Sequence, residues 1–258
     1  MLRLTSFVSA LALSAGLAAA TDITVGVTPG EHAEIMEQVA KLAADKGLNI
    51  RVIEFSDYVI PNQATADGDL DVNSFQHRPY LENQIKDRGF DLVEIGTTIT
   101  TPMGMYSDKI TSLDNLPDDA RVAMPNDPTN GGRALLLLES LGLIELADGT
   151  GLVPSPLDVV KNPKNLRFIE LDAAQLPRSL PDAEVAIINT NYALAAGLSP
   201  RNDSIAMEDA NNPYVNILVV KNGNQDEPWV AQLVEAYQSP EIKAFIDGKY
   251  DGAVITSW

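Results

Sequence analysis

Ile23-Thr24-Val25-Gly26-Val27 is a short, β-branched, apolar run that ends in Thr28-Pro29-Gly30. Ile35, Met36, Val39, Leu42 and Ala43 then recur at helical spacing, Gly47 provides a stop, and Ile50 to Phe55 forms a second apolar run. A strand, a helix and a strand in that order make a parallel βαβ unit, because the helix carries the chain back along one face of the sheet. The chain is therefore an α/β protein. Its 258 residues suffice for one large or two modest domains with a substantial core.

The α/β style continues along the chain. Asp57 to Ala66 reads as a short helix, Asp67-Gly68-Asp69 as a turn and Leu70-Asp71-Val72 as a brief strand. Asn73 to Arg88 reads as a helix despite Pro79, and Leu92 to Ile95 as a strand. A crossing into a second lobe begins at Met103 to Tyr106. There, strand Arg121 to Met124 runs into the loop Pro125 to Gly132, and helix Arg133 to Leu141 follows, stopped by Gly142. Leu166 to Leu171, Glu184 to Ile188 and Tyr214 to Val220 read as strands, and Trp229 to Tyr237 and Pro240 to Ile246 as terminal helices.

The first twenty residues differ from the rest. Met1-Leu2-Arg3 is a short positive region, Leu4 to Leu17 is apolar but too short for a membrane span, and Ala18-Ala19-Ala20 fits a cleavage site before Thr21. The expectation is a cleavable signal peptide over 1–20 and a protein released to the periplasm. The sequence has no cysteine, hence no disulfide and no residue for lipid attachment. The formal net charge of -18 becomes more negative once Arg3 is removed, and no basic stripe offsets it. Such a field repels nucleic acid and anionic membranes.

Four clusters place polar and aromatic residues at strand or helix ends, where open α/β sheets bind ligands. In Phe55-Ser56-Asp57-Tyr58, Ser56 or Asp57 can cap a helix while Tyr58 either projects into a cleft or packs. In Asn73-Ser74-Phe75-Gln76-His77-Arg78-Pro79-Tyr80, Phe75 and Tyr80 suit a flexible apolar chain, a thioether included, and His77 either touches ligand or is structural. In Pro125 to Arg133, the pair Gly131-Gly132 at a helix start would expose backbone N–H groups, and Arg133 offers a fork for a carboxylate. Asn189, after Ile187-Ile188, and Asn216, inside an apolar strand, are amides that need partners. They either accept from a ligand ammonium or satisfy the backbone at the lobe junction.

Catalytic and metal chemistry find no support in the pattern. His32 and His77 sit in different clusters without zinc spacing, and no nucleophile elbow or Walker loop occurs. No enzyme activity, metal or cofactor is expected.

Taken together, Glu54-Phe55-Ser56-Asp57-Tyr58, Asp71 to His77 with Pro79-Tyr80, Pro125 to Leu135, Ala174-Gln175-Leu176-Pro177-Arg178-Ser179, Ile188-Asn189-Thr190-Asn191-Tyr192-Ala193 and Pro213-Tyr214-Val215-Asn216 resemble the methionine-binding lipoproteins of the MetQ/NlpA family. The resemblance runs from about Ile23 to the C-terminus. It implies a two-lobed periplasmic-binding-protein (type II) fold with a ligand cleft between lobes: 21–105 plus 209–258 as one lobe, 106–208 as the other. It also implies a monomer that delivers methionine, D- or L-, to an ABC importer's permease and ATPase. By motif position, Tyr58, Phe75, His77 and Tyr80 would line the side-chain pocket. Arg133 would hold the carboxylate, and Asn130, Asn189 and Asn216 would complete the polar grip. The family's lipid-modified cysteine is replaced by the region of Ala20-Thr21. The alternatives are the same fold with another apolar amino acid or a methionine-containing dipeptide, and a periplasmic enzyme or chaperone.

Overall fold

A computed structural model describes residues 20–258. The expected signal peptide lies outside the described residues apart from Ala20. The first part of the chain runs β1 (Thr21–Val27), α1 (Glu31–Ala44), β2 (Leu48–Glu54), α2 (Ile60–Asp67), β3 (Val72–His77), α3 (Arg78–Arg88) and β4 (Leu92–Thr100). The second comprises β5 (Gly104–Tyr106), β6 (Arg121–Pro125), α4 (Pro128–Ser140), β7 (Glu145–Leu146), β8 (Val159–Lys161), β9 (Arg167–Leu171), β10 (Val185–Ile188), α5 (Thr190–Ala195) and β11 (Ser204–Met207). The last contains β12 (Val215–Lys221), α6 (Pro228–Tyr237), α7 (Pro240–Tyr250) and β13 (Ile255–Thr256).

Two sheets organise these elements. The six-stranded sheet has the order β13-β4-β12-β3-β1-β2, and the five-stranded sheet the order β11-β5-β10-β6-β9. β1 pairs parallel with both β2 and β3, as the βαβ reading requires. β6 likewise pairs parallel with β9 and β10. The chain leaves the first sheet between β4 and β5 and returns between β11 and β12, which pairs antiparallel with β3 and β4. Two strands of chain thus cross side by side, and Glu208 N–H to Met103 O at 2.9 Å ties them together.

Each sheet is covered on both faces, as parallel strands demand. On one face of the first sheet Val25, Val27 and Leu218 pack with Ile35, Met36 and Val39 of α1 and Leu233 and Tyr237 of α6. Leu81 of α3 packs with Leu92, Ile217 and Val219. On the second sheet Val122, Met124 and Ile187 pack with Leu135 and Leu138 of α4. The opposite side buries Ala186 and Ile188 with Leu176 and Tyr192.

Two local expectations are corrected. Residues 73–77 are strand rather than helix, buried throughout β3. The helix starts only at Arg78, with Pro79 in its first turn, where a missing N–H costs nothing. Secondly, α4 begins at Pro128 and not at Arg133, capped by Asp127, whose side chain accepts from Asn130 N–H. Gly131 and Gly132 are therefore inside the helix, and Gly131 N–H already bonds Asp127 O at 2.8 Å. They serve close packing instead of anion binding. A Cβ on Gly131 would lie 2.8 Å from Pro125 O, and one on Gly132 2.8 Å from Val153 Cα.

Candidate ligand-binding site

The carboxyl ends of the parallel strands from both sheets face one another. β2 ends four residues before Tyr58, β3 ends at His77, β6 leads into α4, and β10 ends just before Asn189. All eight residues singled out in the sequence line one cavity between the sheets: Tyr58, Phe75, His77, Tyr80, Asn130, Arg133, Asn189 and Asn216. His32, Gln76, Thr101 and Asn191 complete its wall.

One end of the cavity is aromatic. Tyr58 stands 5.9 Å from Phe75 and 6.1 Å from Tyr80, ring centre to ring centre, and Phe75 stands 6.0 Å from Tyr80. Tyr192 of α5 packs behind Tyr58 at 5.1 Å. The hydroxyls are occupied elsewhere: Tyr58 donates to Asn191 Oδ1 at 2.6 Å, and Tyr80 donates to Tyr58 O at 3.0 Å. What remains toward the cavity is ring surface, suited to an unbranched apolar chain or a thioether.

The other end is polar, and its orientations follow from a chain of hydrogen bonds. Asp127 accepts both bonds from Asn130 Nδ2, at 3.1 and 2.9 Å, which fixes the Asn130 amide. Asn130 Oδ1 then accepts from Asn189 Nδ2 at 2.9 Å and from His77 Nε2 at 3.2 Å. His77 Nδ1 accepts from Tyr80 N–H at 3.1 Å, so the proton sits on Nε2. Burial, helped by the Arg133 charge, pulls the His77 pKa down to about 3 and keeps the ring neutral. Asn189 is left with its Oδ1 buried and without a partner among the described residues. A buried acceptor in this condition can take a donor from a ligand or from a water in the cavity.

Arg133 supplies the positive charge, although its fork is not free as the sequence suggested. Nε donates to both oxygens of Glu208 at 3.0 and 3.1 Å, and Nη2 donates to Glu208 and, at 2.8 Å, to Thr101 O. The guanidinium lies 4.3 Å from the Tyr214 ring centre. Nη1 has no protein partner among the described residues. Asn216 Nδ2 donates to Ile99 O at 3.2 Å beside it.

Behind the wall, Gln76 exchanges two bonds with Asn62 at 2.8 and 2.6 Å, and Asn73 donates to Thr65 Oγ1 at 2.7 Å. Glu31 and His32 open α1, both buried, with Glu31 Oε1 3.8 Å from His32 Nε2. Burial pushes Glu31 up to about 8 and pulls His32 down to about 4, so both are neutral near pH 7. Sequence reasoning missed His32, Gln76, Thr101, Asn191 and Glu208 as parts of the site. His32 and Thr101 follow the ends of β1 and β4, so the strand-end rule itself reaches them. Asn191 and Gln76 lie inside quoted clusters, whereas nothing local marks Glu208.

Tyr58 of the first half bonds Asn191 of the second, His77 bonds Asn130, and Tyr192 donates to Ser56 O at 3.2 Å. The halves are thus closed on each other. Two α/β halves joined by two crossings, with strand ends meeting at a shared cavity, define the two-lobed periplasmic substrate-binding fold. Among the described residues there is no cluster of three or more His, Cys, Asp or Glu able to hold a metal. No helix among them is long and apolar enough to cross a membrane.

The family profile described as NlpA lipoprotein matches residues 23–258, and the chain belongs to that family. It is 50% identical over 239 residues to the D-methionine-binding lipoprotein MetQ of Escherichia coli K12, covering 92% of this chain and 88% of that protein. It is 45% identical over 237 residues to the probable D-methionine-binding lipoprotein MetQ of Vibrio cholerae, at 92% and 88% coverage. Among solved structures, a nutrient binding protein from Burkholderia cenocepacia bound to methionine superposes with a TM-score of 0.90 at 50% identity, covering 92% of this chain and 100% of that one. A periplasmic substrate-binding protein of an ABC transporter from Coxiella burnetii gives 0.88 at 45% identity, covering 91% and 100%.

Proposed function

We propose that this chain is the solute-binding component of an ABC importer, taking free methionine into the cavity between its lobes and delivering it to the membrane permease and its ATPase. The carrying observation is the convergence of an aromatic wall, an unpaired amide oxygen at Asn189 and the buried guanidinium of Arg133 on one cavity. A small zwitterion with an apolar tail fits that set. Its carboxylate takes Arg133 Nη1, its ammonium donates to Asn189 Oδ1, and its thioether lies against Tyr58, Phe75 and Tyr80. Asn130, His77 and Asn216 hold these groups in place. The relatives named for D-methionine and the neighbour bound to methionine support this choice.

The lobes that close are residues 21–103 with 209–258, and 104–208, two residues from the expected division at 105/106, because β5 pairs with β10 and β11 of the second sheet. The protein acts as a monomer and performs no chemistry on its ligand. Export through a leader at 1–20 and residence in the periplasm belong to the same reading, and the 258 residues hold no cysteine to carry lipid. A thermal-shift screen over D- and L-amino acids and methionine-containing dipeptides tests it. A ligand bound only by the native state adds about 2.7 kcal/mol at a hundred times its Kd. Methionine is expected to give the largest rise in Tm. A larger rise with another amino acid or with a dipeptide reassigns the ligand, and conversion of any of them to product refutes a purely binding role.

A further inference from the structure

Arg133 is 3% exposed and, among the described residues, is the only formally charged side chain in the cavity wall when His32 and His77 are neutral. Its charge is met by Glu208, which lies just after β11 on the returning crossing. Glu208 is held more firmly than a surface partner would be. Besides Arg133 Nε and Nη2, it accepts from Met103 N–H at 3.1 Å and Asn212 Nδ2 at 3.3 Å. Its side chain is only 13% exposed. The pair thus sits where both crossings run together, and its summed charge is zero before any ligand enters.

A buried site tolerates an added charge only if something compensates it. A zwitterion adds none: its carboxylate takes Nη1 and its ammonium meets Asn189 Oδ1. The same molecule without its amine adds one negative charge beside Glu208. We propose, on the methionine reading above, that Glu208 sets the charge selectivity of the cavity, cancelling Arg133 so that net-neutral amino acids are accepted and their amine-free, anionic forms are turned away. Glu208 also positions Arg133, because its three bonds to Nε and Nη2 leave Nη1 as the nitrogen without a partner among the described residues. Asp127 is bonded to Asn130 rather than Arg133, Glu31 is held protonated by burial, and both are common to every variant compared below.

The test is the ratio of Kd for 4-(methylthio)butanoate, which is methionine without its amine, to Kd for methionine, measured by calorimetry. Loss of the ammonium contacts raises this ratio equally in all variants, so only its change between variants reports charge. In Glu208→Gln the uncancelled Arg133 is expected to lower the ratio by about tenfold or more relative to the parent protein. Glu208→Asp keeps the charge and is expected to stay within about threefold. A ratio in Glu208→Gln that falls by less than threefold overturns the proposal, as does an equal fall in Glu208→Asp. If Glu208→Gln does not fold alone, refolding with 4-(methylthio)butanoate is expected to recover native circular dichroism where methionine does not. Recovery with neither, or with both alike, overturns it. Absence of methionine binding by the parent protein sinks the functional reading itself, whereas methionine binding with an unchanged ratio sinks only the role of Glu208.

Discussion

Glu31 begins α1 fully buried, with neither carboxyl oxygen in a hydrogen bond among the described residues. Burial lifts its pKa from 4.5 to about 8, and the neighbouring Glu34 carboxyl adds to the rise. In the unfolded chain the group ionises near 4.5, so between that pH and about 8 the native state holds a proton the unfolded state has lost. The contribution to stability is therefore full below 4.5 and is lost as pH rises toward 8. Each pH step in that window costs roughly 1.4 kcal/mol, or about 3 kcal/mol by pH 7 and under about 1 kcal/mol at pH 5. Glu31→Gln keeps the shape of the protonated acid and has nothing to titrate. Urea unfolding should find the variant more stable than the parent by about 3 kcal/mol at pH 7 and nearly equal to it at pH 5. An equal difference at both pH values, or a variant destabilised at pH 7, refutes the assignment of a protonated buried acid.

Further predictions follow the same logic. His32 and His77, held down to about 4 and about 3 by burial, withdraw stability as pH falls below 6.5, while Glu31 withdraws it as pH rises. Above 6.5 the histidines no longer titrate while Glu31 still does, so the urea midpoint of the parent protein should fall from there toward pH 8; a steady rise to pH 8 contradicts this. Arg133→Ala should weaken methionine binding by about 100-fold or more in calorimetry, since the ligand carboxylate loses its only cation and Glu208 is left unpaired. Gly30 has φ +91, and a Cβ there would lie 2.5 Å from Asn191 O, across the closed interface. Gly30→Ala should hold the lobes apart, seen as a larger radius of gyration in solution scattering with methionine present; full closure refutes that. Asn62→Ala strips two bonds from Gln76 and one from Asn73, and should cost about 3 kcal/mol in urea unfolding; a loss under about 1 kcal/mol shows that water replaces them.

Much of the fold is legible because periodicity and punctuation agree. Val25, Val27 and the α1 stripe of Ile35, Met36 and Val39 announce a parallel unit, and all five are buried. β3 is illegible for a physical reason. Its six residues are all buried, so no alternation survives, and Asn73 and Gln76 satisfy their amides through Asn62 and Thr65 on α2. That partnership is non-local, and a polar stretch next to a proline then looks like a helix. β4 is legible only to Ile95, because Thr97 to Thr100 lacks the apolar density of its first half, although the strand runs on to Thr100 to pair with β12 and β13. Tyr58, Phe75, His77, Tyr80 and Asn189 stand in clusters at strand and helix ends, which are local signals, Arg133 and Asn216 stand out by residue type, and Asn130 enters only through the family resemblance. Glu208 carries no such signal, since one carboxylate among 36 acidic residues means nothing until the fold sets it against Arg133.

The most direct measurement is a diffraction structure of this protein crystallised with methionine. The account predicts the amino acid enclosed between the two sheets, its carboxylate bonded to Arg133 Nη1, its ammonium to Asn189 Oδ1, and its sulfur among the rings of Tyr58, Phe75 and Tyr80. Methionine bound elsewhere, or turned so that its ammonium meets Arg133, contradicts it.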